Sequence, residues 1–118
     1  MLIKVLKSKI HRATITETHL DYSGSLTIDP ELMEAVGLRP YEAITFANMS
    51  TGHRGETYAI KGTPGKREIC LNGAAARLGQ AGDMLVILSF GMCTEDEADD
   101  VKPKIIVLDE GNNIAEEK

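Results

Sequence analysis

The sequence predicts a mainly β protein, a small β-barrel of six or seven short strands with two or three brief helices. Apolar residues recur mostly with period two, the repeat of strands that bury one face. Turn-forming clusters separate these runs at short intervals, and no helical stretch is long enough to supply βαβ crossovers. The chain has 118 residues, which is room for one domain spanning residues 1–118, and it shows no linker or internal repeat. Closing the sheet removes the free edges that would otherwise invite aggregation. With aromatic residues at only 4%, aliphatic side chains must fill the interior.

Taken in order, Leu2 to Leu6 and Lys9 to Leu20 read as strand, with Ala13 and Ile15 on one face. Leu26 and Ile28 resume the alternation after a break at Ser23-Gly24-Ser25. Asp29-Pro30-Glu31 then announces a helix, with an oxygen-bearing cap, proline at the first position and an acid in the first turn. Leu32, Met33 and Val36 form its apolar face, and Gly37 is placed to end it. Ala43 to Met49 is a strand, followed by the loop Ser50 to Gly55 and a strand over Glu56 to Lys61. Thr63-Pro64-Gly65-Lys66 is a turn, and Glu68 to Leu71 a further strand. The alanines after Gly73 favour a short helix capped by Asn72. Met84 to Phe90, the most apolar run, predicts a buried central strand. Thr94 and Glu97 fit a capping box, Lys104 to Leu108 is a last strand, and Asn112 to Lys118 is expected to fray.

Charge restricts the partners. Thirteen Lys and Arg against eighteen Asp and Glu give a net charge of −5, which argues against a nucleic-acid partner. The first twelve residues nevertheless carry Lys4, Lys7, Lys9, His11 and Arg12 with no acid among them, suiting either a solvated strand face or a small anionic ligand. No run approaches the ~18 apolar residues of a membrane span, and no secretory leader is legible at the N-terminus. A cytoplasmic protein without a membrane partner is the expectation. Cys70 and Cys93 form neither a CxxC pair nor a zinc-ligand set, and their apolar neighbours predict buried thiols. His11, His19 and His53 lack ligand spacing, so no structural or catalytic metal is expected.

The chain has no GxSxG, GxGxxG or P-loop. What stands out is Gly24-Ser25, between two stretches that both alternate. By itself it reads as a hairpin turn. In context, Asp21-Tyr22-Ser23-Gly24-Ser25-Leu26-Thr27-Ile28-Asp29, preceded by Lys9-Ile10-His11, resembles the self-processing site of the aspartate 1-decarboxylase family. The resemblance continues through Asn48 to Arg54, Thr57-Tyr58-Ala59-Ile60, Leu71 to Ala76, Ala81-Gly82-Asp83 and Pro103 to Val107. It covers nearly the whole chain, in the family's order and at its spacing. The acidic segment Thr94 to Asp100 and the C-terminal tail carry no assignment.

The resemblance implies a double-psi β-barrel that assembles as a homotetramer with sites shared between subunits. It implies self-cleavage between Gly24 and Ser25, giving a short β chain and a longer α chain. Ser25 would become a covalent pyruvoyl group, and the mature enzyme would decarboxylate L-aspartate to β-alanine for pantothenate synthesis. The chemistry is self-consistent, because the electron pair left by a departing carboxylate needs a sink. A 10⁶-fold acceleration requires about 8 kcal/mol, whereas one charge-assisted hydrogen bond supplies roughly 1.5–3. A Schiff base to an electron-poor carbonyl provides the sink without an added cofactor or metal.

By the same resemblance, Thr57 stabilises the oxyanion at Gly24 and takes part in substrate binding, and Tyr58 donates the proton. Arg54 matches a substrate carboxylate with its planar fork. Lys9 and His11, two apart on a strand, point to one side and complete an anionic pocket. Asn72, Gly73, Ala74 and Ala75 offer backbone N–H groups to a carboxylate. Taken singly, each residue also has a plain structural reading: Arg54 as a solvated loop arginine, Thr57 and Tyr58 as strand residues, Asn72 to Ala75 as a capped turn. Two other functions share this sequence, a non-catalytic barrel module that is never cut and a pyruvoyl decarboxylase of another amino acid such as glutamate.

Overall fold

The computed structural model describes residues 1–118. Its strands are β1 (Leu2–Thr14), β2 (Glu17–His19), β3 (Ser25–Ile28), β4 (Ala43–Asn48), β5 (Arg54–Lys61), β6 (Ile69–Asn72), β7 (Met84–Thr94), β8 (Lys104–Leu108) and β9 (Ile114–Glu117). Three short helical elements interrupt them: α1 (Pro30–Val36), a 3-10 segment (Gly73–Leu78) and α2 (Glu95–Ala98). The mainly β class and the small barrel are as predicted, with nine strands rather than six or seven.

The strands hydrogen-bond in the order β2-β6-β3-β5-β4-β7-β1-β8-β9. Because β2 continues the chain from β1, this order curls back on itself. The seam lies at Thr16, whose N–H donates to the Ile69 carbonyl at 2.8 Å while its Oγ1 accepts from the Ile69 N–H at 3.0 Å. Inside lies one aliphatic core built from alternate residues, among them Ile10, Ala13, Leu26, Ile28, Phe46 and Ile87. Leu85 and Ile87 of β7 face this core, and β7 sits between β4 and β1 as a central strand.

The predicted helix at Pro30 forms for local reasons. Asp29 is fully buried and its carboxylate accepts four hydrogen bonds: from the N–H groups of Glu31 (2.9 Å), Gly65 (3.2 Å) and Arg67 (2.7 Å), and from the Arg67 guanidinium (3.2 Å). Burial by itself would raise the Asp29 pKa. The backbone donors and the Arg67 charge outweigh it, so the carboxyl titrates below its ordinary value. Gly37 closes the helix in the left-handed conformation at φ 73°, as Gly at this position does.

Replacing Asp29 by alanine should therefore cost about 2–4 kcal/mol, a lost cap plus orphaned backbone donors, read by urea unfolding at fixed protein concentration. The sign with pH follows from the lowered native pKa. The contribution is fully present above the unfolded value of about 3.9 and is lost as pH falls through the native value, so mutant and parent should converge in acid.

Four expectations are corrected. Residues 2–14 form one strand, and the expected interruption near residue 7 is a β-bulge between Leu6 and Ser8. The loop expected to end at Gly55 gives way earlier, because Arg54 and Gly55 already pair with Ala47 and Phe46. The tail is ordered: β9 pairs antiparallel with β8, and the Lys118 N–H donates to the Ile105 carbonyl at 2.8 Å. Cys70 is buried as expected, but Cys93 is only half-buried, lying on the far stretch of β7 where Phe90, Met92 and Thr94 are exposed.

Candidate active site

Leu26 and Ile28 face the core, so Ser25 and Thr27 take the opposite face of β3. Ser25 is nonetheless buried, at 1% exposure. Antiparallel pairing with β6 sets Ser25 against Asn72 and Thr27 against Cys70. The Asn72 side-chain amide donates to Ser25 Oγ and to Thr27 Oγ1, each at 2.9 Å. Ser25 Oγ in turn lies 3.4 Å from the Ser23 carbonyl, completing a fixed position for the hydroxyl.

The capping role expected of Asn72 is thereby corrected. Its backbone is extended and its side chain makes no capping bond; the amide nitrogen instead donates across the strands to Ser25 and Thr27 of β3. The segment it precedes is a 3-10 helix, beginning at Gly73 with φ 70°. A Cβ at Gly73 would stand 2.7 Å from Gly24 Cα and 2.9 Å from the Tyr22 carbonyl. Both are backbone atoms, so a side chain here displaces the turn that carries Gly24. Gly73→Ala should accordingly slow cleavage at Gly24, followed as the fraction of uncut chain over time. A wild-type rate would show that the close approach is irrelevant.

On the other side of β3, β5 runs parallel with Leu26 paired to Ala59. Thr57 and Tyr58 come just before this paired stretch, toward the end of β3 where Ser25 lies. Tyr58 also packs at 6.2 Å from the ring of Tyr41, a residue held at positive φ. Thr57 and Tyr58 open onto a cleft of about 610 Å³ that also contacts Lys4, Tyr41, Glu56 and Phe90. A second hollow of about 260 Å³ lies across Thr27 and Asn72, with Glu17, His19 and Cys70. Ala74 is exposed and Ala75 half-buried beside Gly73, so small side chains leave the start of the 3-10 segment open.

Lys9, His11 and Arg54 lie elsewhere in the same chain. Lys9 pairs with Leu88 of β7 and Ile105 of β8, and His11 with Val86 and Val107, so neither pairs with β3 or with the strands beside it, β5 and β6. Arg54 opens β5 four residues before Tyr58, about 13 Å away along a strand. Lys9 and His11 flank the buried Ile10 and share a side, as the spacing predicts. His11 Nδ1 is buried without a hydrogen-bond partner. Burial, then the positive charges of Lys9, Arg12 and Lys118, lower the His11 pKa, disfavouring the charged imidazolium.

Sequence reasoning passed over Thr27, which shares the Asn72 amide with Ser25. Its alternation with Ser25 places both on one face and was the available signal.

The family model for aspartate decarboxylase matches residues 1–115. The chain belongs to the aspartate decarboxylase family. Among its relatives, aspartate 1-decarboxylase of Desulfotalea psychrophila is 49% identical over 116 residues, covering 98% of each chain. That of Caldicellulosiruptor saccharolyticus is 54% identical over 114 residues, 97% of this chain and 89% of the relative. The Listeria monocytogenes protein of the same name is 52% identical over 114 residues, covering 97% and 90%. The family match spans β1 with Lys9 and His11 as well as Ser25, Tyr58 and Asn72. No helix is long and apolar enough to cross a membrane.

Proposed function

We propose that this chain cuts its own backbone between Gly24 and Ser25, converts Ser25 into a pyruvoyl group, and decarboxylates L-aspartate to β-alanine and CO2 in the cytoplasm, for pantothenate and coenzyme A synthesis. The observation that carries the reading is the fixed Ser25 hydroxyl, bonded by Asn72 and adjacent in sequence to a glycine carbonyl on an exposed turn.

Ser25 Oγ attacks the Gly24 carbonyl carbon, and the acyl group moves from nitrogen to oxygen to give an ester. Thr57, on β5 just before the stretch paired with β3, stabilises the oxyanion on the way. β-Elimination breaks the Ser25 Cβ–Oγ bond and frees the Gly24 carboxylate. Water then releases the Ser25 nitrogen as ammonia, leaving a ketone on the new terminus. The residues present fit this group, because Ser25 is its own source and Asn72 holds the position. Once formed, the pyruvoyl group supplies the electron sink for loss of the substrate's α-carboxylate.

The chain's own groups do the rest. Tyr58 gives a proton to the carbon that loses CO2, since a phenol keeps its proton at neutral pH. Arg54 holds a substrate carboxylate through paired hydrogen bonds, Lys9 adds positive charge, and His11 offers an imidazole nitrogen for hydrogen bonding. Gly73, Ala74 and Ala75 leave backbone N–H groups open to the substrate. Neither Lys9 nor His11 lines the hollows that Tyr58 and Asn72 open onto within one chain, which supports a site completed by a neighbouring subunit. Exposed Tyr41 (77%), Met92 (62%) and Leu2 (59%) supply apolar surface for packing further copies into a homotetramer.

Denaturing mass spectrometry and CO2 release test this together. The expected result is two fragments, residues 1–24 and 25–118, with the second ending in a carbonyl and CO2 released from aspartate in preference to glutamate. One intact chain after prolonged warming would favour a non-catalytic barrel module. Equal or greater release from glutamate would reassign the substrate.

A further inference from the structure

A cluster of metal-binding side chains stands on β2 and β6, outside the residues assigned above. Parallel pairing of β2 with β6 sets Glu17 opposite Cys70, and His19, two residues on, shares the face of Glu17. One donor atom from each of Glu17, His19 and Cys70 lies within 4.8 Å of the other two. Glu17 Oε2 and His19 Nε2 are already 2.8 Å apart. Glu68 Oε2 lies 4.0 Å from Cys70 Sγ on the same hollow and offers a fourth donor.

We infer that Glu17, His19, Cys70 and Glu68 form a site for a Zn²⁺-class divalent ion. Tetrahedral zinc with bonds of 2.0–2.3 Å needs donors about 3.3–3.8 Å apart, so inward rotation of the exposed Glu17 and His19 side chains closes the set. One sulfur, one imidazole and two carboxylates favour Zn²⁺ or Co²⁺ over Mg²⁺ or Ca²⁺, which take oxygen sets. On binding, the Cys70 thiol yields its proton to solvent and the sulfur bonds the ion. The two nearby carboxylates already make this a place that favours positive charge.

The site has a structural consequence. β2 is three residues long, exposed throughout, and stands at the end of the strand order. An ion bridging it to β6 would clip this short strand down immediately before the turn that leads to Gly24. No spacing along the chain reveals the set, because Cys70 joins His19 only through strand register.

The test titrates Co²⁺ into the purified, chelator-treated full-length protein and follows the thiolate-to-cobalt charge-transfer band. The expected result is one Co²⁺ per chain, displaced by Zn²⁺, with the band lost in Cys70→Ser and kept in Cys93→Ser. His19→Ala, a change at an exposed position, should weaken binding about tenfold or more while leaving the circular dichroism spectrum unchanged. Absence of a charge-transfer band, a band that follows Cys93, or unaltered affinity in His19→Ala would each overturn the assignment. The readout is optical and independent of cleavage or CO2 release.

Discussion

Replacing Ser25 by alanine should leave one uncut chain and abolish decarboxylation. The methyl group cannot attack the Gly24 carbonyl, and it provides no oxygen for the later elimination. The fold should survive, because Ser25 contributes a hydroxyl bonded to Asn72 and no core packing; Leu26 and Ile28 fill the interior beside it. The cost is one buried hydrogen bond, about 1–3 kcal/mol for the unsatisfied amide, and Thr27 retains one of the two Asn72 bonds. Intact mass and circular dichroism read the two halves of the expectation. Processed fragments from this variant would remove the serine from the mechanism.

Tyr58→Phe separates maturation from turnover. Cleavage needs the Ser25 hydroxyl, the Gly24 carbonyl and Thr57, so the variant should process normally. Turnover should fall by about 10²–10⁴, the usual worth of a positioned general acid. The aromatic body is kept, so packing against Tyr41 at 6.2 Å persists and structural loss is minimal. Mass spectrometry of the cut chain beside kcat for aspartate distinguishes the steps. Full activity would mean that the proton comes from another group.

Local signals in the sequence were the ones that translated into structure. Asp29-Pro30 and Thr94 with Glu97 mark helix starts because a cap is satisfied within a few residues, and both helices form there. Alternation at Leu26, Ile28, Leu85 and Ile87 reads out the core face directly. β9 was hidden because Ile114-Ala115-Glu116-Glu117 has one large apolar residue and gains its order from pairing with β8. Asn72 misled because an amide before a glycine and alanines looks like a cap. Its bonds to Ser25 and Thr27 depend on pairing across 45 and 47 residues.

The site shows the same division. Ser25 and Asn72 meet through the β3–β6 register and Gly73 approaches Gly24, a juxtaposition that no local pattern in the sequence displays. Lys9 and His11 share a side of β1 as their spacing predicts, and neither makes a hydrogen bond to Ser25 or Asn72.

The central claim is that Ser25 becomes a reactive ketone. Borohydride added to the active protein in the presence of aspartate should leave a covalent substrate adduct on the first residue of the 25–118 fragment, located by peptide mass. A preparation that releases CO2 from aspartate yet carries no adduct there, with residue 25 still an unmodified serine, would contradict the account.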